Sequence, residues 1–250
     1  MHKKLLALAL VAASAGSANA ALSQGDLAFT SFNADEDGWA MVALSSIAAN
    51  TKVYFSDNEW NGTAFNGGES FSSWLTGGAA INAGTVIRFS KTDSSTLLAA
   101  SVGTLSRESV TGSANWGLSQ SADTLYAYLG TSATAPTTFL AAISSGTFGT
   151  VADGTLTNTG LTVGNGAIQL KLASDYAEYN GVRTGEADFA AYKPLVSTIA
   201  NWNDPGDGSF AATVPNTTAF TISPIPEPGT YAMLLAGFGL IGTMIRRRTR

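Results

Sequence analysis

Apolar side chains recur at every second position in one short window after another, and no window of helical length before residue 230 repeats with a period near 3.6. Leu125, Ala127 and Leu129 point opposite to Tyr126 and Tyr128; Ile168 and Leu170 point opposite to Gln169 and Lys171. The same pattern runs through Leu27–Phe29, Val42–Leu44, Val53–Phe55, Ile87–Phe89, Phe139–Ile143 and Phe220–Ile222. Successive side chains leave a strand on opposite faces, so such alternation marks strands with one face buried. Many short strands separated by Gly-, Ser-, Thr- and Asn-rich stretches predict an all-β fold, a single two-sheet sandwich.

Two segments share one turn-into-strand design. Ile47-Ala-Ala-Asn-Thr-Lys-Val-Tyr-Phe-Ser56 parallels Ile81-Asn-Ala-Gly-Thr-Val-Ile-Arg-Phe-Ser90. Asn50 and Gly84 occupy the matching turn position, and both residue types tolerate the left-handed backbone of a tight turn. Residues 130–166 are poor in charge and rich in small residues, which predicts long loops and weak edge strands. Residues 201–217 read as turns before a last strand.

The two ends differ from this body. Residues 1–20 carry His2, Lys3 and Lys4, then the apolar run Leu5–Ala15, then Ala18-Asn19-Ala20. This is the layout of a signal peptide cut by signal peptidase before Ala21. The sandwich is expected over residues 21–222, followed by a proline-rich spacer at 223–229 containing Pro226, Glu227 and Pro228. An apolar stretch at 230–245 follows, then an Arg-rich tail at 246–250. Sixteen helical residues reach about 24 Å, somewhat less than a hydrocarbon core of about 30 Å. Tyr231 at the outer boundary and snorkelling Arg246, Arg247, Arg248 and Arg250 at the other make up the difference. By the positive-inside rule the arginines stay cytoplasmic and the body lies outside.

This order of Pro-Glu-Pro, short apolar helix and terminal arginines resembles the PEP-CTERM sorting domain over about the last 27 residues. The resemblance implies recognition by an exosortase, a membrane-embedded cysteine protease, in a Gram-negative producer of exopolysaccharide. It implies transient anchoring in the inner membrane, cutting of the tail near the tripeptide, and a final place at the cell surface or in the extracellular matrix.

The charge of −5 conceals an acidic body with seven Lys and Arg against seventeen Asp and Glu between residues 21 and 225. Such a body repels phosphate backbones, which argues against nucleic acid as a partner and leaves divalent cations or neutral sugars. The chain has no Cys, and its one His is His2. Once the signal peptide is removed, Ser-His-Asp and Cys-His catalysis and imidazole- or thiolate-bound zinc are all unavailable.

Gly25–Asp35, Gly38–Leu44 and Tyr54–Trp60 resemble a lamin-tail-like bacterial β-sandwich domain. That resemblance implies an immunoglobulin-like fold and an accessory role; the nuclease that sometimes accompanies this domain does not carry over.

Three sets of residues are candidate sites. Asp35, Glu36 and Asp37 between two strands, with Asp204 and Asp207 further on, offer oxygen ligands suited to Ca²⁺, although an acidic, solvated turn explains them equally. Asp57 and Glu59 lie two apart, about 7 Å in extended chain, a spacing compatible with an inverting glycosidase but also with ordinary solvent-facing residues. Trp60 and Trp74 flank a polar loop containing Asn61, Asn66 and Glu69, and are candidates for stacking on sugar rings. The alternative is that both fill the core. The expected function is a non-catalytic structural role in the exopolysaccharide layer or biofilm. The alternative is a carbohydrate-binding module, and a third reading is a carboxylate-based glycosidase.

Overall fold

The computed structural model describes residues 21–150 and 152–223. The predicted signal peptide, the Pro-Glu-Pro tripeptide, the apolar 230–245 segment and the terminal arginines lie outside the described residues. In chain order the strands begin with β1 (Leu27–Asn33), β2 (Gly38–Ala43), β3 (Lys52–Ser56), β4 (Phe71–Leu75) and β5 (Val86–Ser90). They continue with β6 (Ala99–Ala100), β7 (Thr104–Arg107), β8 (Thr124–Ser132), β9 (Ala135–Ser144) and β10 (Thr162–Val163). The last are β11 (Gly166–Gln169), β12 (Tyr176–Tyr179), β13 (Thr184–Glu186), β14 (Trp202–Gly206) and β15 (Thr221–Ile222). One sheet has the order β14-β12-β1-β2-β5-β6 and the other β10-β11-β9-β8-β3-β4-β7, with β13 and β15 forming a small parallel pair. The fold is the expected all-β sandwich.

Aromatic side chains join the two sheets. Trp39 of β2 and Phe89 of β5 meet Phe55 of β3 and Trp74 of β4, with ring centroids 5.0 to 5.4 Å apart. Edge-to-face pairs of this kind add about 0.5–1.5 kcal/mol each beyond burial. Alternation then carries Tyr54, Tyr126 and Tyr128 to the other face of their sheet, and that face is buried too. There they form a second cluster with Trp60, Phe71 and Phe139, into which Phe65 inserts from the loop between β3 and β4. A strand flanked by two cores explains why β8 is apolar or aromatic at every position from Leu125 to Leu129.

The duplicated turn design appears as two mutually paired units. Ile47 and Ile81 exchange main-chain hydrogen bonds of 2.9 Å in both directions. The strands they lead into, β3 and β5, belong to different sheets. Asn50 has φ 57° and Gly84 φ 90°, the left-handed geometry the turn requires.

Two local expectations need correction. The 130–166 region contains β9, a ten-residue strand set between β8 and β11 rather than at an edge. Within 201–217, Trp202–Gly206 forms β14, an edge strand, the position at which Pro205 is tolerated because no outer neighbour needs its missing N–H. A six-residue helix, α1 (Tyr192–Ser197), also forms. It buries Tyr192 and Val196 and is held by the Lys193–Asp26 ion pair at 2.7 Å.

Candidate functional site

The segment joining β7 to β8 has no strand pattern, yet side-chain acceptors hold its backbone in place. The Leu118 N–H donates to Asp37 Oδ1 at 2.9 Å and the Ser119 N–H to Asp123 Oδ2 at 2.7 Å. The Asn115 amide donates to the Gly68 carbonyl at 3.2 Å. Held this way, residues 115–119 and Glu69 line an open groove of about 420 Å³. Trp116 lies half-buried in it, with the Arg107 guanidinium 4.4 Å from its ring centroid. Arg107 is in turn fixed by a 2.8 Å hydrogen bond to the Thr92 carbonyl.

A row of carboxyls lies beneath the groove. Asp57 is buried and is pushed up to about 8, chiefly by burial and then by the charge of Glu69. Glu69, half-buried at the groove wall, is pushed up to about 7 by burial and by Glu59, and its Oε2 has no hydrogen-bond partner. Asp123 is buried and raised well above the usual carboxylate range, by burial first and Asp57 second. The two deep acids are occupied structurally. Asp57 Oδ1 accepts the Ser70 N–H at 2.8 Å, and the Ser70 hydroxyl lies 2.7 and 2.8 Å from its two oxygens. Asp123 accepts from the N–H groups of Ser119 and Thr124. What reaches the groove is one carboxyl, one amide, one hydroxyl and an indole, a set suited to holding a neutral polyhydroxy ligand by face contact and hydrogen bonds.

The tryptophans singled out from the sequence are not at this surface. Trp60 is 5% exposed, packed against Phe65 and Phe139, with its Nε1 donating to the Thr157 carbonyl at 2.9 Å. Trp74 is fully buried between the sheets and donates to the Val102 carbonyl at 2.7 Å. Neither ring can stack on a sugar, because residues 57–69 fold over the outer face of the sheet and Trp74 points inward. Asp57 is also no solvent-facing residue: the chain leaves β3 inward at that point.

The acidic candidates are divided among separate tasks. Glu36 is buried and forms an ion pair with Arg88. Asp37, at φ 56°, caps the Leu118 backbone and is raised to about 6 by burial and Asp93. Asp204 accepts from Lys171 N–H, Ser174 Oγ and Gly206 N–H. Asp35 accepts from the Gln120 amide and the Phe210 N–H. The Asp35-Glu36-Asp37 triplet therefore does not converge on one ion. Among the described residues no group of three acidic, His or Cys side chains is placed to hold a metal. Asp35 and Asp207 each act on Asp175, a residue that stands apart from the acidic runs of the sequence.

The body hands the chain to its C-terminal segment at a fixed point. Phe220 is buried against Tyr179 and Tyr192, and Ser223 N–H donates to the Glu186 carbonyl at 2.8 Å. No helix among the described residues is long and apolar enough to cross a membrane. Pro226, Glu227, Pro228, Tyr231 and the terminal arginines lie beyond them. No curated protein and no solved structure matches the chain. Residues 224–248 match the family described as the PEP-CTERM protein-sorting motif, which marks an exported protein that is anchored transiently in the membrane and processed by an exosortase.

Proposed function

We propose that the protein is a non-catalytic β-sandwich of the cell surface or exopolysaccharide matrix, sent out by a cleaved signal peptide and released from its membrane anchor by exosortase. The observation that carries this reading is the position of the sorting motif, which starts four residues after Phe220 locks the last strand into the core. A cut within the motif leaves the sandwich whole. A glycosidase of either common geometry needs two carboxyls flanking the scissile bond. The groove lining supplies Glu69 alone, while Asp57 is engaged by Ser70. Fractionating the producing organism tests this reading. The processed body is expected in the surface or matrix fraction, and a body found only in the cytoplasm contradicts it.

The Trp116 groove favours a second reading, in which the body binds the producer's own polysaccharide. Affinity electrophoresis in gels containing that polymer tests it. Retarded wild type and unretarded Trp116→Ala support it; equal mobility with and without polymer removes it.

A further inference from the structure

The antiparallel register of β12 and β14 pairs Tyr176 with Gly206. Asp175 and Asp207 are the next residues beyond the ends of the two strands, so the sheet sets them opposite each other. Asp175 is 3% exposed; its Oδ2 accepts the Gly208 N–H at 2.8 Å, while its Oδ1 is buried without any hydrogen-bond partner. Asp207 and Asp35 both act on the Asp175 carboxyl and, after burial, push it above the ordinary carboxylate range. Both charges that act on Asp175 are acidic, and Lys171 at the same edge is engaged by the Asp204 carbonyl. Two abutting carboxylates repel unless a proton or a cation lies between them.

We propose that Asp175 and Asp207 bind a calcium ion at this end of the sandwich. Calcium accepts irregular sets of oxygen ligands at 2.3–2.6 Å, including monodentate carboxylates, main-chain carbonyls and water. Asp175 Oδ1 and the exposed Asp207 supply the protein charge, and Asp35 adds to the field. With two carboxylates rather than a full acidic cage, affinity falls in the range of extracellular modules, about 0.1–1 mM. The ion fastens the loop after β14, which already reaches back to β1 through Asn33 Nδ2 and the carbonyls of Phe210 and Thr213.

The full chain in detergent micelles, titrated with CaCl₂ to about 10 mM by isothermal calorimetry and melted with and without the salt, tests this site. Wild type is expected to give binding heat in the stated range and a higher melting temperature with calcium. Asp207→Asn replaces an exposed carboxylate by an amide that can donate to Asp175. It should melt no lower than wild type without calcium and bind at least tenfold more weakly. Glu69→Gln, at the other orphaned carboxyl, should respond as wild type does. No heat from wild type, an undiminished response in Asp207→Asn, or a response lost in Glu69→Gln overturns the proposal.

Discussion

Asp57 accepts both the main-chain N–H and the hydroxyl of Ser70, thirteen positions later, at 2.8 and 2.7 Å. This contact closes the loop that covers the outer aromatic cluster, and it places a carboxyl where water cannot reach it. The same arrangement that secures the fold creates a row of acids whose ionisation is unfavourable.

Stability should therefore fall as pH rises. Asp57 and Glu69 have folded values of about 8 and 7, above their ordinary values of 3.8 and 4.5. A raised acid binds its proton more tightly when folded, so its contribution is complete below pH 4 and is lost as pH rises through about 8. Melting temperature measured from pH 4 to pH 9 should decline across that window and level off above it, once the opposing acid-end effects of other carboxylates are accounted for by variants. Asp57→Asn keeps an acceptor for Ser70 and removes the charge. It should raise stability at pH 8 by on the order of 1–3 kcal/mol and flatten the decline. An unchanged slope in this variant would assign the titration to other groups.

Trp74 and Trp116 should behave in opposite ways. Trp74→Ala opens a cavity between the sheets and should cost about 3–5 kcal/mol, measured by urea unfolding. Trp116→Ala loses one partly exposed cation–π contact, about 1 kcal/mol or less, and its effect should appear in polysaccharide retention instead.

Gly84 is a steric requirement. At φ 90° a Cβ there would sit 2.2 Å from the Phe220 carbonyl oxygen, in a turn that L side chains rarely adopt. Gly84→Ala should destabilise by about 2 kcal/mol or more and loosen the last strand, seen as earlier proteolytic release of the C-terminal segment. Asn50→Gly at the equivalent turn should stay within about 1 kcal/mol.

Much of this was legible in the sequence. The opposition of Leu125 and Ala127 to Tyr126 and Tyr128 placed the faces of β8, and the match of Asn50 with Gly84 identified two left-handed turns. What the sequence did not show depends on long-range covering. Trp60 and Trp74 flank a polar loop, and nothing local reveals that this loop folds back over the sheet and carries Phe65 into it. Trp116 lies in a stretch without strand periodicity, held by acceptors from Asp37, 81 residues before Leu118, and from the later Asp123. Asp175 stands apart from every acidic run and acquires its neighbours only through the pairing of β12 with β14.

In the proposed pathway the segment at 224–248 delivers an intact sandwich to a processing protease. Mass spectrometry of the native protein's C-terminus, in the wild-type producer and in a strain lacking exosortase, tests it most directly. Surface-fraction protein is expected to begin at Ala21 and end near Pro226–Pro228 in the wild type, with the tail retained and membrane-bound in the deletion strain. Mature protein that still ends at Arg250 in the wild type, or an identical C-terminus in both strains, would contradict it.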